Sequence, residues 1–176
     1  MIADAQPAVL ARAASPEFDE LLALGFSRYP RWEWATFARF GWRLTPAGLV
    51  LTLAHLDPPF AGDLEERVGH VALQEPYTLR TALAAEEHAL AVGIIHSHPK
   101  EFLTLPSEID DQMDRYYATY FADFAPNRPY ISLILGHRDG SLCASGRVHR
   151  EGRWYPVGRF AVPRRVINVD RLHTLG

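Results

Sequence analysis

The chain has almost no lysine and almost no thiol. Lys100 stands alone against 17 arginines, and Cys143 is the single cysteine in 176 residues. One cysteine excludes an internal disulfide framework and any zinc site built on several thiolates, and it fits a reducing, cytoplasmic setting. Long apolar runs are missing as well. Two short apolar runs, 47–54 and 89–95, fall far below the ~18 residues a membrane span needs. The first residues carry Asp4 and no basic cluster, so they do not read as a secretory leader. Positive charge is not in excess: 18 basic against 21 acidic residues leave a net charge of -3. That balance disfavours gripping a phosphate backbone, and nucleic acid is not expected as a partner.

What is present is globular. Hydrophobic residues make up 48% and charged residues 22%, and no repeat or low-complexity tract divides the chain. The length favours one domain over 1–176, with its core at about 16–162. Residues 16–26 have helical spacing with Pro16 at the first turn, and 77–89 form an Ala- and Leu-rich helix. Residues 48–56 are β-rich, and 70–74 are placed to pair with them. The continuous apolar run 91–95 reads as a strand covered on both faces. A helix over 107–124 follows, closed by Pro126 and Pro129, and then three strands over 130–135, 142–150 and 154–162. Strands that alternate with helices early and run antiparallel late predict an α/β fold: a mixed central sheet flanked by helices.

The informative stretch is His96-Ser97-His98-Pro99, followed after eight residues by Ser107 and three further on by Asp110. Side chains at i and i+2 of an extended chain point the same way, so two imidazoles aim at one spot. They emerge where the buried strand ends, and ligand sites of open α/β sheets favour the carboxyl ends of strands. Pro99 cannot continue a ladder and turns the chain away. The Ser107–Asp110 pair opens the next helix and can return a carboxylate to the imidazoles. Two histidines and one carboxylate with an open fourth position make a catalytic zinc site. Each piece has an ordinary explanation alone. S-x-x-D is a helix cap, and acids near a helix start answer its dipole. Their order on one strand–loop–helix frame points to a metal.

H-S-H-P followed by S-x-x-D resembles the signature of the JAMM/MPN zinc metallopeptidases, which remove ubiquitin and ubiquitin-like proteins. The resemblance implies an MPN-like fold with the layering of cytidine deaminases and one zinc per chain. It implies His96, His98 and Asp110 as ligands, Ser107 as a helper of the oxyanion, and an upstream glutamate that handles the proton. The gap of eight residues, 99–106, is one longer than the family's usual seven, which leaves Asp111 as the alternate ligand. Glu33, ahead of a short apolar segment and the strand 48–56, takes the place of the family's glutamate, with Glu17 and Glu20 as alternatives. Trp32 and Trp34 beside it would raise its pKa by desolvation, which suits a general base.

The compact build resembles the bacterial branch, whose members accompany ubiquitin-like, E1-like and E2-like proteins in operons, several of them serving antiphage defence. The expectation is therefore a cytoplasmic isopeptidase that frees a ubiquitin-like protein from a precursor or conjugate, its tail held extended along a sheet edge. The alternative is an MPN scaffold that binds without catalysis. A metal-dependent phosphoesterase would need more His and Asp ligands, and a zinc deaminase is excluded by the missing P-C-x-x-C. His55, His70, His88, His137, His149 and His173 have no motif around them, and Cys143 reads as a small core residue within a strand.

Overall fold

The computed structural model describes residues 8–27, 33–67, 70–99, 102–170 and 172. In chain order the strands are β1 (Val9–Arg12), β2 (Trp34–Thr45), β3 (Gly48–Asp57), β4 (Leu64–Arg67), β5 (His70–Leu73) and β6 (Ala91–Ser97). They continue with β7 (Tyr130–Arg138), β8 (Ser141–Arg150), β9 (Arg153–Pro156), β10 (Arg159–Ala161) and β11 (Asn168–Val169). The helices are α1 (Ser15–Leu22), which runs on into a π-helical turn at Ala23–Ser27, α2 (Glu75–Glu87) and α3 (Glu108–Phe124).

Nine strands form one mixed sheet in the order β10-β1-β3-β2-β6-β7-β8-β11, with β9 beside β8. The expected mixed α/β class is what the chain adopts. β2 runs antiparallel to β3 and β6, whereas β6 and β7 are parallel and are joined through α3. The sheet curls on itself. Val157 N–H donates to the Gly146 carbonyl and Gly158 N–H to the Val9 carbonyl, so two consecutive amides tie β8 to β1. The β7–β8 and β8–β9 hairpins close at Asp139-Gly140 and Glu151-Gly152, both pairs with positive φ, as tight two-residue turns require.

Three expectations are corrected. Residues 70–73 pair with Leu64–Arg67 in a separate two-stranded hairpin and not with 48–56. The stretch 154–162 is two strands, because the chain leaves β8 at Val157 and crosses to pair in parallel with β1. The sheet also reaches beyond 16–162. Val9 and Ala11 are buried in β1, and β11 pairs with β8 at Cys143, a buried core residue as expected.

The two faces of the sheet carry separate cores. Phe18 and Leu21 of α1 pack on one face with Leu51, Phe40 and Ile95. On the other, α2 and α3 enclose Phe37 within van der Waals reach of Tyr77, Tyr117 and Phe121, their ring centroids 4.9–5.3 Å away. β6 lies between them and is buried along its whole length. Its alternation assigns Ala91 and Ile95 to the α1 face, and Val92 and Ile94 to the α3 face. No helix among the described residues is long and apolar enough to cross a membrane.

Candidate metal centre

The alternation that buries Ile94 against α3 carries His96, two residues on, to the same face. Ser97 faces the other way and donates its hydroxyl to the Gly25 carbonyl at 3.4 Å. His98 lies just past the strand but keeps the register, its backbone N–H donating to the Leu135 carbonyl of β7 at 2.8 Å. Both imidazoles therefore point to one spot, as the H-x-H spacing predicts. Their Nε2 atoms are 3.3 Å apart, and His96 Nε2 is 3.4 Å from Asp110 Oδ1. All three side chains are buried, and their ligand atoms lie within 4.8 Å of one another.

These separations fit a shared cation. Bonds of ~2.0–2.1 Å from a tetrahedral ion give donor–donor edges of roughly 3.3–3.4 Å. The tautomer of His98 is fixed as well. Its Nδ1–H donates to the Leu103 carbonyl at 2.6 Å, which leaves Nε2 with a lone pair toward the centre. His96 is held neutral by its surroundings. Burial pushes its imidazole down to about 4, and the Asp110 carboxylate only partly opposes this. A neutral imidazole is the form that binds metal.

Asp110 is aimed by its own helix cap. Ser107 accepts from the Asp110 N–H and returns two hydrogen bonds to Asp110 Oδ2, from its backbone N–H at 2.6 Å and its hydroxyl at 2.7 Å. Oδ2 is thereby occupied and Oδ1 is left facing His96. Burial favours the acid form of Asp110, but His96 and the two Ser107 hydrogen bonds outweigh it and hold the carboxyl below its ordinary value. The alternate ligand, Asp111, points elsewhere and pairs with Arg147 of β8. With the longer loop, it is still Asp110 and not Asp111 that the fold brings to the two histidines.

Glu33, far upstream in the sequence, lines the same site. It precedes Trp34, whose register partner is Ser97, and the next pair in that antiparallel ladder would set Glu33 opposite His98. Glu33, His96, Ser107 and Asp110 line one small cavity, with Val71 and Met113 as its apolar wall. The expected aromatic setting of Glu33 is not met by Trp34. Trp34 turns to the α1 face, where it packs near Gly25, and Trp32 lies outside the described residues. Glu17 and Glu20 belong to α1 on the far side of the sheet.

Sequence reasoning missed Arg147. It is buried, donates from Nε to Asp114 Oδ2 at 2.6 Å, reaches Asp111 with Nη1, and lies 5.1 Å above the Trp154 ring. Tyr130 donates its hydroxyl to the other Asp114 oxygen at 2.9 Å. Burial works against the Arg147 charge, but Asp114 and Asp111 overcome it and raise its pKa. This network fastens the first turns of α3 to the sheet beneath Asp110. The Asp-x-x-Asp spacing of 111 and 114 on one helix face was its only trace in the sequence.

No other cluster of three His, Cys, Asp or Glu side chains among the described residues can hold a metal ion. His137 packs on Phe26 and His149 on Trp154, in keeping with structural roles, and His173 lies outside the described residues. No protein-family model matches the chain, and no curated protein matches it significantly, so the residues of this centre carry the functional reading by themselves.

Proposed function

We propose that the protein is a cytoplasmic zinc isopeptidase of the JAMM/MPN kind, one domain with one zinc, which frees a ubiquitin-like protein from a precursor or conjugate. Its partners would be that protein's C-terminal tail and the E1-like and E2-like proteins of the same conjugation system, in the setting of antiphage defence. One observation carries the reading: two members of a His-His-Asp donor set, His96 and Asp110, line a small cavity together with Glu33 and Ser107.

His96, His98 and Asp110 would hold the ion. Zinc, when bound, supplies Lewis acidity toward a carbonyl and a lowered pKa for water. Glu33 then accepts the proton of the attacking water and passes it to the departing amine as the C–N bond breaks, leaving a carboxylate on the modifier and a free amine. The Ser107 hydroxyl, which donates to Asp110 at rest, rotates toward the cavity to meet the developing oxyanion.

The test is cleavage of a ubiquitin-like protein fused through its C-terminus to a reporter, followed on a gel with zinc-loaded protein. The wild type should cleave and lose activity to a chelator. Cleavage that survives both the chelator and Glu33→Gln would overturn the reading.

A further inference from the structure

Among the described residues between His98 and α3, Thr104 is the most deeply buried. Phe102, Leu103 and Leu105 are exposed at 63%, 54% and 42%, while Thr104 between them is 0% exposed. Three side chains this exposed supply little packing to fix the path of residues 102–105. Thr104 supplies the anchor. Its hydroxyl donates to Asp170 Oδ2 at 2.6 Å, and its carbonyl accepts from the buried Ser145 hydroxyl of β8. Asp170 is itself fixed, its N–H donating to the Ala144 carbonyl at 2.8 Å and its carboxylate paired with Arg138 at 3.1 Å. Gly136 of β7 makes the room: a Cβ there would lie 2.7 Å from the Thr104 methyl. The residue before Thr104 is Leu103, whose carbonyl accepts the His98 Nδ1–H.

We infer that Thr104 and Asp170 are positioning residues for the metal centre, and that the segment after β10 acts as a strap that holds His98 in its ligating tautomer. The inference rests on the metal-centre reading and extends it to residues 168–170. The chain of contacts is continuous: Asp170 to Thr104, the adjoining Leu103 carbonyl to His98 Nδ1, and His98 Nε2 to the His96 Nε2 that faces Asp110. When the anchor is lost, the Leu103 carbonyl drifts, the His98 proton is free to move to Nε2, and that nitrogen no longer offers a lone pair. Partners behind a metal-bound histidine typically change affinity by about 10–100-fold.

The experiment measures Co2+ and Zn2+ affinity by titration of the metal-free full-length chain, with the Co2+ absorption spectrum and imidazole 15N shifts as structural readouts. Thr104→Val keeps the buried shape and removes the hydroxyl, whereas Thr104→Ser keeps the hydroxyl. Thr104→Val and Asp170→Ala should each weaken binding by about tenfold, alter the Co2+ spectrum and shift His98 toward the Nε2–H tautomer. Thr104→Ser should restore wild-type values, and the double variant Thr104→Val/Asp170→Ala should be no worse than either single one. Wild-type affinity and His98 shifts in Thr104→Val, with only a lower melting temperature, would overturn the inference while leaving the metal centre intact. A wild-type chain that binds neither ion would instead defeat the reading on which it rests.

Discussion

The two arms of the candidate metal centre are held by different reaches of the chain. Asp110 is aimed by Ser107, three residues away, through a helix cap that forms wherever α3 forms. His98 is held through Leu103 and Thr104 to Asp170, which lies 66 residues beyond Thr104. The first arm is set by secondary structure and the second by tertiary structure. The difference teaches that a ligand set written within fifteen residues still depends on the fold being closed around it. Glu33 makes the same point, because only the pairing of β2 with β6 brings it to the histidines.

The largest effects should come from the ligands themselves. Asp110→Ala should abolish high-affinity metal binding, and Asp111→Ala should retain it, since Asp111 pairs with Arg147. Metal content measured on both purified variants checks this. A reversed result would mean that α3 starts with a different face toward the histidines.

Glu33→Gln should leave metal binding and melting temperature near wild type and slow turnover of a ubiquitin-like fusion by about 10²–10⁴. Full activity with metal retained would assign the proton to another acid.

Arg147→Met sharpens the comparison on the α3 side. It leaves Asp114 buried beside an apolar chain, and losing one partner of a buried pair costs about 3–5 kcal/mol. Denaturant unfolding should show that loss, and the further change Asp114→Leu should recover part of it by removing the stranded charge. Ser107→Ala is the mildest for stability, although losing an oxyanion donor should slow turnover of the fusion by about 10²–10³. It should cost about 1 kcal/mol for the lost cap. Metal affinity should also fall, since Asp110 Oδ2 loses one of its two hydrogen bonds.

Much of the local structure was legible because its signals are local. The apolar run at 91–95, the Ser107 cap and the two positive-φ Xaa-Gly turns mark β6, α3 and the late hairpins by residue type alone. What depends on distant pairing was not legible. β1 is four residues long with no periodicity to betray it, and its place in the sheet comes from pairing with β3 and β10. Residues 70–73 carry the composition of a strand but nothing that names their partner. Within the site, the ligands and Glu33 were readable as residue types at a spacing, whereas the Arg147 network and the Thr104–Asp170 anchor join positions with no common motif. Trp34 shows the limit most plainly: adjacency to Glu33 in sequence put its ring on the opposite face of the sheet.

The most direct test of the centre is a zinc titration of metal-free wild-type protein beside His96→Ala, followed by calorimetry with the folded state checked by circular dichroism. The wild type should bind one ion per chain, and His96→Ala should lose that binding while remaining folded, because His96, His98 and Asp110 converge on one point. Equal binding by the folded variant, or none by the wild type, would contradict a metal centre built on these three side chains.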